Sequence, residues 1–385
     1  MIGWPDLLNR VLAAATSGKG PDVLNIGNTW SASLQATGAL LPFDDATLNQ
    51  IGGKDRFLAG SIAATGAAGK PPAAVPIYSL AYGLYYNKKL FADAGLTAPT
   101  SWADAWSWDE FDDAVKKLTK KSGNRTDTYG LQYAVNTIQP TAYGAGDTAL
   151  YNNQTECGYG KPETLEAIDK QISYIREGYA PTVDVEYLPL FNAGKLAMTW
   201  QAMDISAQIS KNVDWDVMPW PKTPLFAMTK NYARTWVIPK TAKDPQAAFL
   251  AMKALCGKAA SEVMAKAQFA VPALTEVAKS AAFTDHPRPK TANVWAEALG
   301  NVAGKPVDVP FPRGPIGTAL ADSFVEGTNA NNLVSGKLAT ADYLKRGRDA
   351  VNAEIKKRGW NGNKGKELLE KGGALTDPDL KVAAK

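Results

Sequence analysis

Apolar and polar positions along this chain repeat with two different periods. Residues 5–16, PDLLNRVLAAAT, bring Leu7, Leu8, Val11, Leu12 and Ala15 to one side at helical spacing, and Gly18 and Gly20 predict the end of that helix. PDVLNIG (21–27) then reads as a short buried strand, followed by Asn28, Thr29 and Trp30 at its carboxyl end and a helix running to Gly38. The segment AAVPIYSLAYGLYYN (73–87) is longer, and Tyr78, Leu80, Tyr82, Leu84 and Tyr86 share a face if it is a strand, because strand side chains alternate sides. It passes straight into KKLFADAGL, a short helix that stops at Gly95. A buried strand ordinarily folds back into its own sheet, so this one is expected to leave for another.

After a Trp-rich connection, TSWADAWS, Ser107-Trp108-Asp109-Glu110 fits a capping box, in which the serine hydroxyl and the glutamate each satisfy an orphan backbone N–H. Trp108, Phe111, Val115 and Leu118 form the buried face of the helix that follows, with Asp112/Lys116 and Asp113/Lys117 on its outer side. From 129 to 240, strand-like pieces (YGLQYAV, KLAMTW, DWDVMPWP, TWVIPK) alternate with helical ETLEAIDKQISYIREG, which predicts an α/β fold whose sheets are mostly parallel and covered on both faces. Residues 245–268 and 340–357 are strong helices, VDVPFPRGPIG (307–317) is extended, and 361–385 reads as a polar, Gly-rich tail.

Length and charge narrow the classes. At 385 residues the chain is expected to form about two domains. A net charge of +4 with no Arg-rich stripe argues against a nucleic-acid partner; the densest basic group, Lys345 to Arg348 with Lys356 to Arg358, is a solvated helix face. No run of 18 apolar residues suggests a spanning helix, and MIGWPDLLNR lacks the basic and apolar regions of a signal peptide. Cys157 and Cys256 are expected to be free thiols, and the single histidine, His286, a solvated loop residue, which leaves little for a triad or a metal site. Phosphate and dinucleotide loops are missing: Gly158-Tyr159-Gly160-Lys161 continues into Pro162-Glu163 without the required spacing. No cofactor and no metal are expected.

The aromatic content, Trp 11, Tyr 14 and Phe 11, changes the picture most. Trp30, Tyr78, Trp200 and Trp236 lie at or beside the ends of inferred strands, interleaved with Asn28, Gln201, Asp204 and Arg234. An aromatic face covers the C–H patch of a sugar ring while amide, carboxylate and guanidinium groups satisfy its hydroxyls, so this mixture suits a neutral polyol. The same groove on an enzyme, a glycosidase or lyase, and a non-sugar ligand such as a polyamine, peptide or metal chelate are the alternatives.

In order, GPDVLNIGNTW, TGALLPFDD, AVPIYSLAYGLYYNKKLFADAGL, SWDEFDDAVKKL, LFNAGKLAMTW, DWDVMPWP, TWVIPKTAKDPQAAFLAMKAL and SGKLATADYLKRGRDAVNAEIKK resemble segments of the extracytoplasmic solute-binding proteins of ABC importers, in particular the maltose-binding-protein-like group. The resemblance implies a two-lobed periplasmic-binding-protein-like fold hinged by three crossing segments: GLYYNKKLF, a return at Trp236 to Pro239, and a third at Pro310 to Pro315. The implied lobes are 1–83 with 238–312 and 84–237 with 313–360. It further implies a ligand site of Asn28, Thr29, Trp30 and Tyr78 facing Trp200, Gln201 and Asp204, with Arg234 and Trp236 near the return, Arg313 at the third crossing and Tyr143 in a polar loop. A monomer that delivers sugar to membrane permease subunits outside the cytoplasm is the expected role. The family begins with a strand, a helix and a second strand ahead of 5–16, so the expectation is a truncated reading of a longer gene or a sheet lacking central strands. TSWADAWS looks like an insertion, its tryptophans either on the cleft rim or packed.

Overall fold

The computed structural model describes residues 20–28, 31, 34–35, 38–63, 65, 71–132, 137–147, 150–151, 156–182, 185–223, 227, 229, 231–267, 270–285, 292–299, 301–302, 305–306, 324 and 332–357. The helix expected at 5–16, Thr29, Trp30, His286, the third crossing with Arg313, and the tail lie outside them.

In chain order the strands are β1 (Leu24–Gly27), β2 (Val75–Asn87), β3 (Lys120–Ser122), β4 (Arg125–Gln132), β5 (Leu150–Tyr151), β6 (Glu156–Cys157), β7 (Leu196–Ala202), β8 (Trp215–Met218), β9 (Asn231–Val237), β10 (Val271–Pro272), β11 (Asn301–Val302) and β12 (Lys305–Pro306), the last two pairing, among the described residues, only with each other. β5 and β6 form a small ladder of their own. The remaining strands are organised around β2, whose 13 residues serve two sheets. Residues 75–81 pair with β9 and 78–79 with β10, while β9 also carries β1. From Tyr82 onward the partners change: 82–86 pair with β7 and 84–87 with β8, and β7 leads on to β4 and β3. One strand thus leaves the amino-terminal lobe and enters the carboxyl-terminal lobe without a turn, giving the two-lobed fold.

Alternation explains why β2 tolerates this passage. Ile77, Ser79, Ala81, Gly83, Tyr85 and Asn87 are buried, whereas Tyr78, Leu80, Tyr82 and Tyr86 are only partly covered; Leu84 breaks the alternation, being fully buried opposite Trp200 and Met218. The strand stops where Asn87 Oδ1 accepts the Leu90 amide at 3.2 Å and caps the helix Lys88–Asp93. Gly95 follows that helix at φ 65°, a conformation glycine adopts without penalty.

Two expectations need correction. The sheets are not mostly parallel: among the described strands β4–β7 is the one parallel pairing. There the helix Pro162–Arg176 lies between the two strands and carries the chain back to the starting end. β7 and β8 are separated by the 3-10 turn Met203–Gln208 with no such helix, and each runs antiparallel to the crossing strand. The return also comes earlier than Trp236. β9 pairs with β1 and the first half of β2 along its whole length, so residues 231–237 belong with the amino-terminal sheet instead of the 84–237 lobe.

The capping box is present, with Ser107 N donating to Glu110 Oε2 at 2.7 Å and Glu110 N to Ser107 Oγ at 3.3 Å. Asp112 and Lys116 pair at 2.7 Å. The tryptophans of TSWADAWS pack: Trp102 is buried and donates Nε1 to Val294 O at 2.7 Å, and Trp106 stacks on Phe91 with centroids 6.0 Å apart. Cys157 and Cys256 are free and buried.

Candidate functional site

The partly covered face of β2 brings polar and aromatic groups of both halves together. In the amino-terminal half, Gly27 of β1 and Tyr78 of β2 both lie opposite Arg234 of β9, so the three residues form a row across neighbouring strands. Gly27 has no side chain for a reason: a Cβ there would meet the Tyr232 ring, whose Cζ would be 2.9 Å away. The Arg234 guanidinium lies 5.7 Å from the Tyr232 ring centroid, over its face.

In the carboxyl-terminal half, Tyr82 lies opposite Ala202, where β7 runs into the 3-10 turn carrying Asp204. The buried Tyr85 hydroxyl fixes that turn, lying 2.8 Å from Ser206 Oγ and 3.2 Å from both Ala202 O and Met203 O. Tyr187 opens the helix Tyr187–Asn192, which Asn192 ties to the same region by accepting the Ser210 amide at 2.8 Å.

The electrostatics link the two halves. Burial raises the Asp204 carboxyl above its ordinary value, opposed by its own backbone N–H. Its charge is felt by Tyr78, Tyr82, Tyr85 and Tyr187, each raised first by burial and further by Asp204. Tyr82 is pushed up to about 12, so these hydroxyls stay protonated at neutral pH. Tyr78 also feels Arg234, which acts in the opposite sense. Tyr78 thus feels both the carboxylate of the 3-10 turn and the guanidinium of β9.

Of the residues named from sequence, Tyr78 and Arg234 lie opposite each other on neighbouring strands, and the charge of Asp204 acts on Tyr78. Trp200 does not present a stacking face here. It is wholly buried, 5.8 Å below the Tyr82 ring and 4.9 Å from Trp220, because β7 continues two residues beyond it and leaves it inside the sheet. Gln201 points to the opposite side of β7 from Trp200, and its amide donates to Gln132 Oε1 at 3.1 Å. Trp236 lies beyond Arg234, opposite Asn25, and its indole N–H has no partner among the described residues. Asn28 is buried, with its side-chain oxygen unpartnered among them. Tyr143 is on the helix Ile138–Gly144 instead of a loop, where its charge acts on Tyr159. Sequence reasoning missed Tyr82, Tyr187 and Tyr232. The even-position pattern of β2 signalled Tyr82; nothing in the order of residues signalled the other two.

Among the described residues no group of three or more His, Cys, Asp or Glu could hold a metal, and no helix is long and apolar enough to cross a membrane. A groove of about 200 Å³ lined by Leu96, Trp106, Glu110, Asp113 and Lys117 includes none of the residues named from sequence as ligand contacts.

The model of the bacterial extracellular solute-binding protein family matches residues 2–262. The chain belongs to this family. It is similar to a Brucella abortus protein named as a candidate binding protein, 24% identical over 265 residues, and that match covers 62% of each chain. The chain thus spans about three-fifths of the length of the curated relatives it matches first. In fold this solute-binding protein is similar to the sugar-binding protein MalE of Xanthomonas citri, with a TM-score of 0.77, 16% identity, and 97% and 91% of the two chains covered. An ABC substrate-binding protein of Listeria monocytogenes in complex with cycloalternan gives 0.74, with 19% identity and 92% and 90% covered. The family and these neighbours are binding proteins rather than enzymes.

Proposed function

We propose that this chain is the substrate-binding component of an ABC importer, holding a sugar or oligosaccharide between its lobes and delivering it to membrane permease subunits outside the cytoplasm. The observation that carries the reading is the set of aromatic and polar groups on and beside the two halves of β2: Tyr78 with Tyr232 and Arg234 of β9 at one end, and Tyr82 with Asp204 of the 3-10 turn and Tyr187 at the other. Tyrosine rings offer apolar faces to sugar C–H groups, and the charged pair offers a donor and an acceptor for hydroxyls. The relatives named for sugars support the ligand class. A ligand touching both walls binds the closed arrangement better than the open one and draws the lobes together by that difference in affinity. No step of catalysis is assigned to Asp204, and the protein works as a monomer.

A thermal-shift panel of mono- and oligosaccharides tests the reading. A ligand that binds the folded state raises the melting temperature in proportion to the logarithm of its concentration over Kd. Stoichiometric binding without product is expected. Turnover of the ligand would transfer the groove to the enzyme reading, and stabilisation by polyamines or peptides alone would transfer it to a non-sugar receptor.

A further inference from the structure

We propose that the connection TSWADAWS is a latch across the rear of the hinge, which holds the lobes at their ligand-free angle and thereby sets the affinity of the site. The inference rests on the reading of a ligand held between two lobes and adds to it the device that resists their closing.

The latch is a set of hydrogen bonds between segments distant in sequence. Residues 100–102 follow the helix Lys88–Asp93 of the carboxyl-terminal lobe and meet the helix Asn293–Ala298. Trp102 donates its Nε1–H to Val294 O at 2.7 Å and its backbone N–H to Glu297 Oε2 at 3.2 Å. Asn293 Nδ2 donates to Thr100 O and to Glu297 Oε1, both at 3.1 Å. Trp102 is buried, so water does not compete for its indole bond. The helix is anchored on its other side to the amino-terminal lobe. Just past its end Leu299 O accepts the Gly60 amide at 2.9 Å, an approach so close that a Cβ on Gly60 would lie 2.9 Å from the same oxygen. Gly60 belongs to the helix Ala59–Ala63, whose Ser61 hydroxyl lies 3.1 Å from that of Ser79 in the first half of β2.

Position decides what the latch does. The helix Asn293–Ala298 lies over the point at which β2 changes sheets: a Cβ on Gly83 would be 3.0 Å from Trp295 Nε1, and the Trp295 ring is 5.7 Å from that of Tyr85. Gly83 and Tyr85 point to the opposite side of the strand from Tyr78 and Tyr82. Latch and candidate site therefore occupy opposite faces of the crossing strand. A rotation about that strand that draws together the walls on the tyrosine side parts the segments on the Trp295 side. Closing breaks the bonds made by Trp102 and Asn293, so the closed arrangement is less populated than it would be without them. Apparent affinity falls with that population.

The test combines Trp102→Phe, which keeps a ring in place and removes the indole donor, with Asn293→Ala, which removes the other. Nitroxide labels at Ala59→Cys and Asp109→Cys, exposed positions on the two lobes, report the angle between them in the full ligand-free chain by double electron–electron resonance; Cys157 and Cys256 are buried and stay unlabelled. The latched protein is expected to give one narrow distance distribution and the double variant a second population beside it. Calorimetry with the carbohydrate selected by the thermal-shift panel is then expected to show binding tighter by about three-fold or more in the double variant, and by less in each single one. A distance distribution unchanged in every variant overturns the latch. A changed distribution with equal or weaker binding overturns its opposition to closure. Should the double variant melt early, Asn293→Ala alone carries both measurements. The distance measurement uses no ligand, so it decides the latch even where the panel selects no carbohydrate and the sugar reading falls.

Discussion

The two ends of β2 are built alike and used differently. Residues 75–81 sit between β9 and β10, residues 82–87 between β7 and β8, so each end is a central strand of its own sheet. The first end supplies a partly covered row across the sheet, where Gly27, Arg234 and Tyr78 lie side by side and the Tyr232 ring folds over the glycine. At the second end most aromatic mass goes inward. Trp200 and Trp220 pack beneath Tyr82, and Tyr85 lies between Trp215 and Trp295 at 5.2 and 5.7 Å. The difference teaches that aromatic richness around this strand has two purposes: a buried stack that holds the crossing rigid, and a thinner layer of tyrosines that faces outward.

Substituting the buried layer breaks this comparison most severely. Trp200→Ala removes a fully buried indole and is expected to cost about 3–5 kcal/mol of stability, read from urea unfolding. A loss of ligand affinity with unchanged stability would instead return Trp200 to the wall of the site. Tyr85→Phe leaves the ring in place but removes the hydroxyl that holds the Asp204 turn, and should cost about 1–3 kcal/mol. Tyr82→Ala acts on the outer layer. It is expected to weaken carbohydrate binding about ten-fold, equivalent to about 1.4 kcal/mol. Gly27→Ala forces the Tyr232 ring aside and should weaken binding by a smaller factor, visible in the same titration.

The smallest effect sharpens the electrostatic side. Burial holds the folded-state value of Asp204 above its ordinary 3.8, so the native state retains this proton more tightly than the unfolded chain. The charged form therefore subtracts stability. That penalty is absent below the unfolded value, grows as pH rises toward the folded one, and is complete above it. Asp204→Asn should slightly raise the melting temperature of the ligand-free protein at neutral pH, with the gain vanishing as pH falls through the carboxylate range.

Much of this arrangement was legible in the residues. The alternation in 73–87, the cap at Asn87 and the box at Ser107 are local signals, and each appears where the pattern puts it. The departures come from partners distant in sequence. Whether Trp200 faces solvent depends on Tyr82 and Trp220 lying against it, and no feature of KLAMTW encodes those neighbours. The direction of β7, β8 and β9 against β2 depends on which connections carry a helix. Tyr187 and Tyr232 reach the site through tertiary packing alone, one at a helix start and one through a missing Cβ on another strand.

The claim that one ligand touches both lobes is tested most directly by calorimetric titration of Tyr78→Ala and Tyr82→Ala, one from each end of the crossing strand, with the best carbohydrate from the panel. Both variants should remain folded and both should bind at least about ten-fold more weakly than the unaltered protein. If either binds with unchanged affinity, the ligand rests on a single lobe and the account of a cleft shared across β2 is wrong.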